Sequence, residues 1–553
     1  MTVLTRRGFL TGTLATASAA ALPALTGTPA YAAPSTAVGP FSLGVASGDP
    51  TQDGVVLWTR LVRDPLAEDG QGGMPNRAVS VQWQVAADER FRRIARNGTV
   101  RAEPAHVHSV HVEVDGLKPG REYFYRFRAE GETSPVGRTK TAPAPGTRLD
   151  RLAFAFASCQ AWYDGYYTAY RHMAADDLDV LFHLGDYIYE YGVGASGGVR
   201  GVQLPEQYQR EVFTLAEYRN RHALYRSDPD LPAAHAAFPW VVVFDDHEVE
   251  NNWANQVSQV DSEPDQDPEV FLALRAVAFR AYYEHLPLRR SYMPRGPDMQ
   301  MYRRLRFGDL ATFNVLDTRQ YRDDQACGDG RQVGCAERLD PSRSITGAEQ
   351  ETWLLDGLAR SGTTWNVIAQ QVVMAQLDQD AGPPQAFGMD LWDGYAASRA
   401  RILTGMVERD VRNPVVLTGD VHRNLAADLK VNFDDPDSAT VGVEFAGTSI
   451  ASGGDGADMD QWGTDVLAAN PHVKFHNAQR GYVRCTVTPK TYVADYRVVP
   501  HVSESGAPIQ TRASFAVQAG EPGLQQTAER VPQGRRSAPG VVVELDYLED
   551  RQR

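Results

Sequence analysis

The hydrophobic rhythm of the chain changes near residue 150. From 40 to 145, apolar positions alternate with polar ones or run in short blocks, as in "VVLWTRL" (55–61), "VSVQWQVA" (79–86), "VHSVHVEV" (107–114) and "YFYRFRAE" (123–130). Alternation punctuated by Asp-Gly and Pro-Gly turns predicts strands, and hence an all-β unit over 38–143. The Pro/Gly-rich stretch 141–150 then reads as a linker. Beyond it, short apolar blocks such as "LAFAFASC" (152–159) and "LDVLFHLGD" (178–186) alternate with 3.6-period segments at 165–175, 269–286 and 348–361. Strands return in "WNVIAQQVV" (365–373) and "NPVVLTGDVHRN" (413–424). This alternation predicts a layered α/β unit over 150–500. The segment 501–553 is expected to be a charged, weakly patterned extension.

The first residues change the picture by giving an address. Thr5-Arg6-Arg7-Gly8-Phe9-Leu10 leads into an Ala-rich stretch that closes on Ala30-Tyr31-Ala32. This is the form of a twin-arginine export signal with cleavage after Ala32. Residues 1–32 are therefore expected to be removed, the export machinery to be a partner, and the product to be a secreted monomer. The formal net charge of −15 argues against nucleic acid or anionic membranes as partners. In an oxidising compartment Cys327 and Cys335, which bracket "GDGRQVG", are expected to pair. Cys485, within the alternating "YVRCTVT", reads as a small buried apolar residue.

Candidate chemistry sits at the ends of the apolar blocks. Ser158-Cys159 ends one, Gly185-Asp186 another with Tyr189 and Glu190 just beyond, and Gly419-Asp420-Val421-His422 a third. Between them "VVVFDDHEVENNW" (241–253) runs from four apolar residues directly into Asp245, Asp246, His247 and Glu248. Buried carboxylates require cations opposite them. Ligands of α/β sheets gather beyond the carboxyl ends of strands. A thiolate, a phenol, imidazole and several carboxylates converging there make a metal site. Taken singly, each residue has a plainer reading: Cys159 as a core residue, Asp186 as a turn or cap residue, Tyr189 as packing, Arg319 as a surface or a fold-holding residue.

The order of these strand ends resembles the metallophosphoesterase superfamily. With Ser158-Cys159 in place of Asp-x-His and Asp245-Asp246-His247-Glu248 in place of Gly-Asn-His-Glu, it is similar to the alkaline phosphatase D (PhoD-type) family. "LDTRQYR", "WDGYAASR" and "EFAGTSIAS" fit further blocks of that family, as does the β-rich amino-terminal unit. A corner at 114–129, "VDGLKPGREYFYRFRA", is similar to that of fibronectin-type or immunoglobulin-like sandwiches. The resemblance implies a metallophosphoesterase-type layered sandwich preceded by an immunoglobulin/fibronectin-like domain. It implies one ferric ion and two calcium ions. Cys159, Tyr189, Asp186 and His422 would surround the iron, with Asp186 bridging to calcium. Asp246 and Asp420, with an amide from Gln370 or Gln371, would hold that calcium. Asn252, or Glu190, would serve the second. His247 would assist the leaving oxygen, and Arg319 would steady the phosphate. The activity implied is hydrolysis of phosphomonoesters and phosphodiesters by metal-activated water; the alternative is a calcium-dependent phospholipase D acting on phospholipid head groups.

Overall fold

The computed structural model describes residues 39–260 and 264–529. The export signal expected over 1–32 and the end of the chain beyond 529 lie outside the described residues. The architecture is mixed α/β and rich in sheet. The central strands of the larger sheet, Leu152–Ala157, Val180–His183 and Trp240–Val242, run parallel. Those of the smaller sheet, Ala311–Val315, Trp365–Ala369, Pro414–Thr418 and Thr440–Ala446, run parallel as well. Every residue of these strands is buried except Thr440 and Val441, which explains why they read as unbroken apolar runs rather than alternating ones.

The two sheets stack face to face. Phe154 and Phe182 of the larger meet Phe313 of the smaller at ring distances of 5.0 and 4.4 Å, and Tyr492 stacks on Phe445 at 5.6 Å. One apolar core therefore spans both sheets. The outer face of the smaller sheet is covered by the helices Gly347–Ala359 and Ala396–Glu408, through Leu354, Leu358, Ile402, Leu403 and Met406. The helices Thr168–Ala174, Leu215–Tyr225 and Pro268–His285 add Tyr170, Tyr218 and Phe279 to the core of the larger sheet. The layers thus run helix, sheet, sheet, helix.

Two features differ from the expected division of the chain. The amino-terminal unit is built on two layers, but one of them, Val45–Gly48, Val55–Arg60 and Ser109–Val114, continues the larger sheet, joined where Gly48 pairs with Trp240. The corner at 114–129 is closed by Lys118 N–H donating to Tyr123 Oη at 2.9 Å. At the other end, Gln510–Gln518 and Glu521–Glu529 are strands of the same ten-stranded sheet, not an appended tail. Ala513, Phe515 and Val517 point into the shared core, an alternation that flanking charges hide in the sequence. Cys327 and Cys335 are disulfide-bonded, whereas Cys159 and Cys485 are buried thiols.

Candidate metal centre

Six parallel strands, three from the larger sheet and three from the smaller, deliver their following residues to one place. Ser158 and Cys159 follow Leu152–Ala157, Asp186 follows Val180–His183, and Asp245 and Asp246 follow Trp240–Val242. From the second sheet, Arg319 follows Ala311–Val315, Asp420 and His422 follow Pro414–Thr418, and Thr448 and Ser449 follow Thr440–Ala446. The sheets touch here: Ser158 pairs with Ser449, and a Cβ on Gly419 would stand 2.9 Å from Ser158 Cβ. At Gly185 (φ +110°) a Cβ would meet that of Asp245 at 2.3 Å, so only glycine lets these two loops close. Cys159, Asp186, Asn252, Asp420 and His422 all adopt positive φ, between 52° and 61°. Such strain in non-glycine residues concentrates at functional sites.

Three overlapping groups of donor atoms result, each within 4.8 Å: Cys159, Asp186 and His422; Asp186, Asp246 and His247; Asp245, Asp246 and Asp420. Tyr189 belongs with the first, since its Oη donates to Asp186 Oδ2 at 2.8 Å and lies 2.9 Å from His422 Nε2. His247 Nδ1 is 2.7 Å from Glu190 Oε2, and its ring lies against Tyr189 with centroids 4.1 Å apart. Glu190 Oε1 accepts the N–H of Asn251, so this carboxylate acts as a bracket for the imidazole and its loop.

The electrostatics call for positive charge. Burial, then the neighbouring Asp246, pushes the Asp186 carboxyl far up. Burial does the same to Asp245 against the pull of Arg319, and to Asp420 with Asp245 and Asp246 adding to it. The Cys159 thiol and Tyr189 phenol are also driven up by burial and by Asp186. Asp246 is the exception: burial opposes its charge, but Arg319, His247 and the Asn252 N–H hold it well below the usual carboxylate range. Burial also disfavours the His247 cation, yet Glu190, Asp246 and Asp186 outweigh it and push the imidazole pKa well above its ordinary value. Asp186 Oδ1 and Asp245 Oδ2 are buried without any hydrogen-bond partner. Orphaned carboxylate oxygens amid six polar strand ends fit a cation-binding centre.

Other expected residues are placed differently. Gln370 is not brought to the cluster. Its amide donates to Val372 O and Thr418 Oγ1, and its oxygen accepts from Trp392, because strand alternation turns it into the core behind the smaller sheet. Gln371 is likewise spent, on Leu316 and Thr318. Arg319 is fully buried rather than open to a ligand. It donates to Asp245 at 2.6 Å and, through both terminal nitrogens, to Asp390 at 2.8 Å. Asn252 reaches the rim, its N–H on Asp246 and its side-chain amide on Asp329. Glu248 does not face the cluster's interior. It accepts the N–H groups of Asp186, Tyr187 and Asp245, tying two strand-end loops together.

Asp245, expected with the charged run 245–248 to face metal ions, joins the acidic group. One contributor escaped the sequence reading. Asp390, in a loop without recognisable spacing, is the counter-charge for both Arg319 and Arg322.

The family of PhoD-like phosphatases matches residues 154–496, and the N-terminal domain of that family matches 27–143. Alkaline phosphatase D of Bacillus subtilis (strain 168) is 54% identical over 524 residues, which cover 94% of this chain and 87% of that protein. A solved structure described as that of PhoD superposes with a TM-score of 0.85 at 53% identity, covering 91% of this chain and 95% of the other.

Proposed function

Because this chain belongs to the PhoD-like phosphatase family, and is therefore a phosphoric ester hydrolase, we propose that it hydrolyses phosphomonoesters and phosphodiesters at the strand-end cluster. The observation that carries this reading is the convergence of Cys159, Asp186, Tyr189, Asp246, Asp420 and His422 on one buried, anion-rich spot with orphaned carboxylate oxygens. We read the helix–sheet–sheet–helix order as the metallophosphoesterase sandwich, and the strands before 143 as an immunoglobulin/fibronectin-like partner to it.

The donor chemistry divides the cluster. Thiol, phenol, imidazole and Asp186 suit a ferric ion; Asp245, Asp246 and Asp420, all hard oxygens, suit calcium, with Asp186 between them. Asn252 remains the candidate for a second calcium, and no glutamine contributes. Such ions, when bound, acidify a water and offset the charge of the phosphoryl oxygens. The chain's own residues do the rest. His247 is aimed by Glu190 through Nδ1, which leaves Nε2 to give a proton to the departing oxygen. Arg319, deep beneath, holds Asp245 in place and keeps Asp246 ionised, as a positioning residue. We place the enzyme outside the cytoplasm, reached by twin-arginine export, in keeping with the Cys327–Cys335 disulfide. Among the described residues no helix is long and apolar enough to cross a membrane.

The test is a visible spectrum of the purified protein beside its metal content and its turnover of p-nitrophenyl phosphate and bis-p-nitrophenyl phosphate. A charge-transfer band lost in Tyr189→Phe, and turnover lost in Asp186→Ala with far-UV signal intact, are the expected results. A colourless active protein holding zinc or manganese would overturn the iron assignment. Cleavage of phospholipids alone, with neither nitrophenyl ester turned over, would favour the phospholipase D reading.

A further inference from the structure

A second buried acidic pair lies outside the strand-end cluster. Glu250 and Asp265 are each 1% exposed, and the two carboxyl groups face each other within hydrogen-bonding reach. Neither Asp265 oxygen receives a hydrogen bond from any donor. Both Glu250 oxygens meet one hydroxyl, Ser258 Oγ, at 3.0 and 2.9 Å. That hydroxyl also takes Gln266 Nε2 at 3.4 Å, and Gln266 in turn fixes the Gln259 carbonyl at 2.6 Å. Glu190, Glu211, Glu250 and Asp265 all gather around the buried Tyr218. Among the described residues no Lys or Arg forms an ion pair with Glu250 or Asp265. An unassisted pair of buried carboxylates is unstable as two anions. The chain can relieve it with a shared proton or with a bound cation.

We propose that Glu250 and Asp265 form a calcium site, distinct from the catalytic centre, that clips the loop bearing Asp246, His247 and Asn252 to the start of the helix Pro268–His285. The donors are oxygens alone: two carboxylates and the Ser258 hydroxyl. That set favours a hard cation such as calcium, which takes oxygen ligands in flexible geometry. The loop explains the purpose. Glu250 N–H bonds Asp246 O at 2.9 Å, and Tyr218 Oη donates to Val249 O at 2.5 Å, so the pair sits directly behind the residues that shape the centre. A cation there fixes the loop where an ionised pair would push it open.

The test counts calcium in the full chain after mild chelation and re-addition of calcium chloride. An Asp186→Ala background serves as reference, so that changes in the catalytic centre cancel. Adding Asp265→Asn to it should remove one equivalent of calcium per chain and abolish part of the calcium-induced rise in Tm. If the pair instead shares a proton, the amide replaces that proton at every pH: calcium content stays the same and Tm rises, which overturns the proposal. Because loss of a buried carboxylate can unfold the chain, the affinity is also measured in Ser258→Ala. Roughly tenfold weaker calcium binding by one site is expected there, on the scale of losses from a disturbed metal shell; unchanged affinity at every site overturns the proposal.

Discussion

Replacing Arg319 by Leu separates a buried counter-charge from a substrate-binding arginine. The wild-type guanidinium is wholly enclosed and spans Asp245 at 2.6 Å and Asp390 at 2.8 Å through two bonds. Asp390 keeps a second partner in Arg322, at 2.5 Å. Asp245 has none, and its other oxygen is already bare. The loss therefore takes the only donor from one buried carboxyl group and the cation from the ionised Asp246 beside it, which costs about 3–5 kcal/mol. At roughly 2.1 cal/mol/K per residue over roughly 490 ordered residues, the unfolding entropy is about 1 kcal/mol/K, so Tm should fall by about 3–5 °C. Arg319→Lys restores charge without the fork and should lose about half as much. Adding Asp245→Asn to Arg319→Leu should recover about 1–3 kcal/mol, because the buried acid left without a donor is gone. The assay is calorimetry of the four chains, with kcat and KM for p-nitrophenyl phosphate measured on each. An Arg319→Leu chain with unchanged Tm and a KM raised about a hundredfold would refute this reasoning and return the arginine to the substrate.

Two other outcomes follow from single contacts. Glu190→Gln preserves shape but can present its amide N–H to His247 Nδ1, upsetting the aim of the ring; kcat should fall about 10–100-fold with KM and metal content close to wild type, whereas an unaltered kcat would show that the bracket is idle. Glu284, which accepts from Arg219 Nε and Nη2, each at 2.7 Å, should govern part of the acid limit. Burial would raise its pKa, but the bonds from His106 and Arg219 and the charges of Arg219 and Arg280 bring it down to about 2 from the usual 4.5. A depressed carboxylate contributes stability that is complete above the unfolded value and is lost as pH falls from about 4.5 towards 2. The gap corresponds to about 3 kcal/mol. Urea midpoints between pH 6 and 3 should show that slope, and Glu284→Gln should flatten it.

The strands, the change of rhythm at 150 and the reactive residues that end each apolar run were legible because periodicity and strand ends are local properties. So was the pairing of Cys327 with Cys335, eight residues apart. The assignment of roles was not, since a side chain's direction depends on what the neighbouring layer offers. Gln370 and Asp420 both follow strands of the smaller sheet, yet one turns to Trp392 and the other to Asp245 and Asp246. Arg319 reads as a phosphate ligand until Asp390, 71 residues later, is seen to occupy both its terminal nitrogens. The ends of the ten-stranded sheet show the same limit. Val45–Gly48 and Gln510–Gln518 lie in one sheet although they are hundreds of residues apart, because strand pairing is decided by backbone hydrogen bonds that any sequence can make. The sequence by itself determined which residues could do chemistry; only the stacking of two sheets at Gly185 and Gly419, where a side chain would collide, decided which of them meet.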